Sequence, residues 1–269
     1  FQHWAMNKYV WGGVVIFLIA FFGFWQSGYF FSQKDANQVP PVANKEETVS
    51  EPAPEPIVEL APEETQPISV EPLVKRDPLT MPFIVQAPNA EWDNPLFENA
   101  CEEASLLMVA SLFRGATSMS QVESRKELLA LAAYQKKKLG HSVDTSITDT
   151  NKILEEYFDI EGRVMEMSNE QEMKELVSEG SILIIPADGQ KLSNPFFTPP
   201  GPINHMLVVL KYDEKTGEYI THDPGTRRGA FYHYQPDVLW KAIRDYPTGA
   251  THVPNTKKDK RILVVPLER

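Results

Sequence analysis

Asn99-Ala100-Cys101-Glu102-Glu103-Ala104-Ser105-Leu106-Leu107-Met108-Val109-Ala110 holds the one cysteine of a 269-residue chain. Ala104, Leu107, Met108 and Ser111 fall at helical spacing before Gly115 stops the run, so the stretch reads as the opening of a buried helix. Asn99 is its expected cap, and Glu102 and Glu103 suit the positive end of the helix dipole. Cys101 then lies in the first turn, where unpaired amide N–H groups favour thiolate over thiol, the condition for a nucleophilic cysteine. Without further context a lone cysteine reads more simply as a small apolar core residue. The rest of the chain has to decide between the two.

Working outward, the pattern predicts helices over 120–139, ended by Gly140, and over 149–158. A strand at 163–167 and a helix at 170–178 follow, then strands at 181–186, 203–212, 218–223 and 230–234, a helix at 237–245 and a strand at 261–266. Upstream, Met81-Pro82-Phe83-Ile84-Val85-Gln86 reads as a short edge strand or extended arm, and Ala90-Glu91-Trp92-Asp93-Asn94-Pro95 as a loop into the cysteine helix. Helices followed by an antiparallel sheet define an α+β domain.

A base for Cys101 has to come from six histidines. His205 opens a strongly β pattern far downstream, the chain order of a helix nucleophile meeting a base on a sheet. The hairpin that follows supplies a register test. If residues 213–217 form the loop, Tyr212 lies opposite Glu218 and Leu207 opposite Asp223, which makes His205 the same-face diagonal neighbour of Asp223. The carboxylate can then orient the imidazole. A four-residue loop, or an uncompensated slip, turns Asp223 to the other face and puts His222 in its place. His222 is therefore the alternative base, with a solvent-facing strand-end histidine as its simpler reading. His141, His233 and His252 lack both an apolar strand and a nearby acid and read as surface residues.

These segments resemble the papain-like cysteine peptidases of the bacteriocin-processing (double-glycine leader peptidase-like) group. The resemblance rests on Phe83-Ile84-Val85-Gln86, on Cys101 to Met108, on Asn204-His205-Met206-Leu207-Val208-Val209-Leu210 and on His222-Asp223-Pro224-Gly225-Thr226. It implies a papain-like fold, with Cys101 as nucleophile, His205 as general base and then acid, Asp223 as the orienting group, and Gln86 as a side-chain donor of the oxyanion hole. It also implies a peptide or protein substrate, with no cofactor or metal. Two departures stand out: the commoner motif has Gly-Pro where this chain has Glu102-Glu103, and Gln86 lies further ahead of the cysteine than papain-like spacing usually has it.

The remainder of the chain concerns placement. Residues 1–5 carry no usable pattern, and Met6-Asn7-Lys8 reads as a natural start to a short cytoplasmic segment ending at residue 8. Residues 9–33 contain no charge and read as a transmembrane anchor, with Trp11, Trp25, Tyr29 and Phe30 as interfacial residues. Lys8 against the acidic far side puts the bulk of the protein outside the cytoplasm. Residues 34–80, rich in Pro and Glu, read as a disordered tether. Roughly 40 residues at about 3.1 Å each would reach on the order of 120 Å. The peptidase domain is expected over 81–269.

A net charge of −11 with no clustered Lys and Arg argues against nucleic acid as a partner. The tether and outside placement motivate wall peptide as substrate, by hydrolysis or acyl transfer at the same site. Glu102-Glu103 motivates a different alternative, a catalytically inactive tethered binding domain, because like charges beside Cys101 oppose a thiolate.

Overall fold

A run of apolar residues with no polar break, Ser181-Ile182-Leu183-Ile184-Ile185, becomes a strand buried at every position, which requires cover on both faces of its sheet. The computed structural model describes residues 76–249 and 259–268. Within them the helices are α1 (Pro95–Glu98), α2 (Cys101–Phe113), α3 (Gln121–Leu139), α4 (Ile147–Phe158), α5 (Glu170–Ser178) and α6 (Pro236–Ala242). The strands are β1 (Arg163–Glu166), β2 (Ser181–Ala187), β3 (His205–Asp213), β4 (Glu218–His222), β5 (Tyr232–Tyr234) and β6 (Arg261–Pro266). All pairings are antiparallel, in the order β1-β6-β2-β3-β4-β5. The fold is α+β and papain-like, with the cysteine helix packed on the sheet.

Period-two alternation separates two cores. Ile182, Ile184, Met206, Val208, Leu263 and Val265 pack with α2, α3 and α4. Their strand neighbours Leu183, Ile185, Leu207, Val209, Ile262 and Val264 pack with Met173 and Val177 of α5 and Leu239 and Ala242 of α6. The sequence reading foresaw the first layer only. Helix α2 is buried at every residue from Cys101 to Leu112, so it is the central helix of its layer and not an amphipathic surface helix.

Local differences from expectation have plain causes. Asn99 does not cap α2: it ends the single turn α1, where its side chain donates to the Pro95 carbonyl, and Ala100 takes the cap position with no side-chain hydrogen bond. Met81 to Gln86 forms no strand; the arm is held by the Gln86 N–H on the Pro224 carbonyl. Ahead of it, Arg76 donates to the Leu267 carbonyl. Among the described residues no helix is long and apolar enough to cross a membrane. The anchor expected at 9–33 lies outside those residues, as does the tether up to residue 75.

The β3–β4 hairpin resolves the register question in an unforeseen way. Asp213 pairs with Glu218, so the loop has four residues, 214–217, which by itself would turn Asp223 away. A β-bulge between Val209 and Lys211 inserts one extra residue, Leu210, and restores Val208 opposite His222. The two offsets cancel, and Asp223 follows β4 in the register that brings it to His205.

Candidate active site

Cys101 sits at the N-terminus of α2, 5 % exposed. The first backbone hydrogen bond there runs from Ala104 N–H to the Ala100 carbonyl, so the amides of residues 101–103 have no backbone acceptor within the helix. His205 opens β3 and is buried. Both line one cleft of about 870 Å³, whose walls include Trp92, Phe196 and Pro199 together with Arg227. That is room for an extended peptide segment.

The imidazole is fixed from three sides. His205 Nε2 lies 2.8 Å from Asp223 Oδ1 with both groups buried, which leaves Nδ1 as the ring nitrogen to exchange a proton. Phe197 meets the ring edge-on at 5.2 Å between centroids. Gly225 closes the third side, because a Cβ there would stand 2.8 Å from His205 Cε1 and 3.0 Å from Phe197 Cε1. Asp223 is itself saturated: Oδ1 also accepts the Gly225 N–H at 3.0 Å, while Oδ2 accepts Tyr234 O–H at 2.6 Å and the Asn194 amide at 3.3 Å. Burial pushes this carboxyl upward, but the His205 charge and the hydrogen bonds outweigh it and hold it below the usual aspartate range.

The thiol lies in the opposite setting. Cys101 Sγ–H donates to Glu102 Oε2 at 3.2 Å, and burial, followed by the Glu102 charge and that hydrogen bond, pushes it well above the ordinary cysteine range. Glu102 Oε1 accepts Thr145 N–H at 3.1 Å and Tyr246 O–H at 2.7 Å. Burial and then the charge of Asp144 push Glu102 up to about 6. Glu103, also buried, is pushed well up by burial and by Glu102. The dipole argument for a thiolate is therefore outweighed in the resting site by desolvation and then by the neighbouring carboxyls of Glu102, Asp144 and Glu103.

Gln86 lines the same cleft, but its amide faces elsewhere. Nε2 donates to the Phe97 carbonyl at 3.0 Å and to the Glu98 carbonyl at 2.7 Å, which occupies both amide hydrogens. In this geometry Gln86 braces the backbone entering α2 with both of its amide hydrogens, the ones an oxyanion contact would use.

His222 proves to be neither base nor surface residue. It is fully buried; Phe231 N–H donates to Nδ1, so Nε2 carries the proton and donates to the Met81 carbonyl at 3.0 Å. Burial lowers its pKa, and the neutral ring ties the arm to β4. Sequence reasoning missed Asn194, Tyr234 and Tyr246, which carry no motif signal and reach the site only through the fold.

The family model of the Peptidase_C39-like family matches residues 78–247, the stretch that carries Cys101, His205, Asp223 and Gln86. The chain belongs to that family, and it is a cysteine peptidase. Among solved structures it is similar to a C39-like peptidase from Bacillus anthracis, with 14% sequence identity, 72% of this chain and 98% of that one covered, and a TM-score of 0.41. No curated protein matches the chain.

Proposed function

We propose that the protein hydrolyses peptide bonds by a Cys-His-Asp mechanism, with Cys101 as nucleophile, His205 as base and then acid, and Asp223 as the orienting group. The observation that carries this reading is the buried 2.8 Å contact of His205 Nε2 with Asp223, on the wall of the cleft that Cys101 also lines. Cys101 Sγ gives its proton to His205 Nδ1 and attacks the amide carbonyl; the proton then passes from Nδ1 to the leaving amine. The Cys101 N–H at the start of α2 is the donor best placed for the oxyanion, and Gln86 holds that turn in position. Water, deprotonated by His205, releases the acyl group.

The finer placement extends the same reading. Residues 9–33 anchor the chain in a membrane and the tether ahead of Arg76, the first residue held on the domain, carries the peptidase outside the cytoplasm, where wall peptide is the substrate within reach. The uncharged run at 9–33 and the Pro and Glu content of the tether support this. A second reading, a silent binding domain, is favoured by one observation only, the Cys101 thiol hydrogen-bonded to Glu102.

Purified full-length chain incubated with a mixed peptide library and with wall material tests these readings together. Peptide release by the wild type and none by Cys101→Ala is expected. No release from either substrate would leave the binding domain standing. Deleting residues 9–33 should move the protein from the membrane fraction to the soluble fraction, and a protein that stays with the membrane would refute the anchor.

A further inference from the structure

The nucleophile of the proposed mechanism has two candidate proton acceptors, and at rest its hydrogen bond goes to the wrong one. Cys101 Sγ–H is directed at Glu102 Oε2, a carboxylate that is 1 % exposed and bonded on its other oxygen by Thr145 N–H and Tyr246 O–H. The Tyr246 hydroxyl also lies 3.3 Å from the His205 carbonyl, so the same phenol touches the strand residue that carries the base. Glu102 thus sits between the thiol and the loops that precede α4 and follow α6.

We propose that Glu102 is a positioning residue that holds Cys101 as a neutral, inactive thiol, and that proton uptake by Glu102 releases the thiol to His205. This inference rests on the Cys-His reading above and adds a control to it. The groups facing Glu102 are Cys101 and Glu103 from its own helix, Asp144 from the loop before α4 and Tyr246 from the loop after α6. None of these four is a cation, and the hydrogen bonds from Thr145 and Tyr246 only partly offset burial and the charge of Asp144.

When Glu102 takes a proton, its charge disappears and Sγ–H no longer faces an anion. The thiol proton can then move to His205 Nδ1, giving a thiolate and an imidazolium whose Nε2–H remains on Asp223. No other reactant is needed. The carboxyl's displacement to about 6 places the change in the mildly acidic range, with the site open below it and latched above it. An activity restrained until its surroundings acidify suits an enzyme whose substrate must be cut only in a particular place or phase.

The test is iodoacetamide labelling of Cys101 in the full-length chain from about pH 4.5 to about pH 9; no other thiol interferes, since the chain has one cysteine. Glu102→Gln keeps the shape and removes the charge. Labelling at about pH 7.5 should rise about tenfold or more over wild type, the effect of at least about one pKa unit on the thiolate fraction. The wild-type profile should gain reactivity as pH falls through about 6, and Glu102→Gln should lose that step. Tyr246→Phe, which removes a hydrogen bond favouring the ionised carboxylate, should move the step to higher pH and serves as the second variant if Glu102→Gln does not fold.

Equal or slower labelling of Glu102→Gln near neutrality, or an unmoved step in Tyr246→Phe, overturns the inference. A slower rate would make Glu102 a base. His205→Ala separates the two levels of the argument. If it labels like the wild type at every pH, the Cys-His reading itself fails; if it suppresses the acid-side reactivity while Glu102→Gln changes nothing, only the latch fails.

Discussion

Asp223 and Glu102 are both fully desolvated carboxylates with several hydrogen-bond donors apiece, yet they ionise in opposite directions. Asp223 accepts from His205, Gly225, Tyr234 and Asn194 and lies below the usual range; Glu102 accepts from Cys101, Thr145 and Tyr246 and lies above it. Donor count does not separate them. Burial raises both, and the neighbouring charge separates them: an imidazole that can become a cation faces Asp223, whereas Asp144 faces Glu102. Two buried carboxyls of one cleft thus differ in character with the sign of the charge beside each.

The comparison breaks most visibly at the reacting groups. Cys101→Ala should remove peptide hydrolysis altogether, and residual turnover in a peptide assay would show that the chemistry lies elsewhere. Asp223→Ala should lower kcat/KM by roughly 100-fold to 10,000-fold, since the imidazole loses its orienting anion. The same change leaves four donors facing an empty site, and a denaturant titration should register a loss of about 3–5 kcal/mol.

Gly225→Ala tests the geometry without touching a charge. Its new Cβ would press on His205 and Phe197, and a displaced ring should cost on the order of 100-fold in turnover with the pH profile unmoved. Removing Gln86 acts one level further out. Gln86→Ala orphans the Phe97 and Glu98 carbonyls, for a loss of roughly 1–3 kcal/mol in a thermal melt.

The smallest effect sharpens the contrast between the two carboxyls. Glu102 binds its proton more tightly folded than unfolded, so stability should increase as pH falls from about 6 towards 4.5, by about 2 kcal/mol. Asp223 runs the other way: its contribution is present above its unfolded value and is lost as pH falls through its depressed folded value. Glu102→Gln should reduce the first slope, to which Glu103 also contributes with the same sign, and leave the second. An unchanged slope in chemical melts across that window would contradict the assignment.

Much of the fold was legible because its elements carry local signals. Arg261–Pro266 and Glu170–Ser178 fall where alternation and helical spacing put them, and Ser120 caps α3 through a reciprocal bond with Glu123. The cover on both faces of the sheet was present in the unbroken apolar run at 181–185, but such a run does not say what covers it. The hairpin is more instructive. Loop length and bulge were each invisible in the sequence, and only their cancellation delivered Asp223 to His205. Gln86 illustrates the limit for side chains: its place at the cleft could be anticipated, whereas the direction of its amide depended on two carbonyls contributed by α1.

Strand β6 lies between β1 and β2, although nearly a hundred residues of chain separate it from β1. The sheet therefore cannot zip up in the order in which the chain is synthesised. Until Arg261–Pro266 inserts, β1 has no partner and β2 presents an open apolar edge. A nascent chain therefore leaves the sheet unfinished until that strand emerges, and a chain ending before Arg261 should expose the apolar edge of β2 and lose stability.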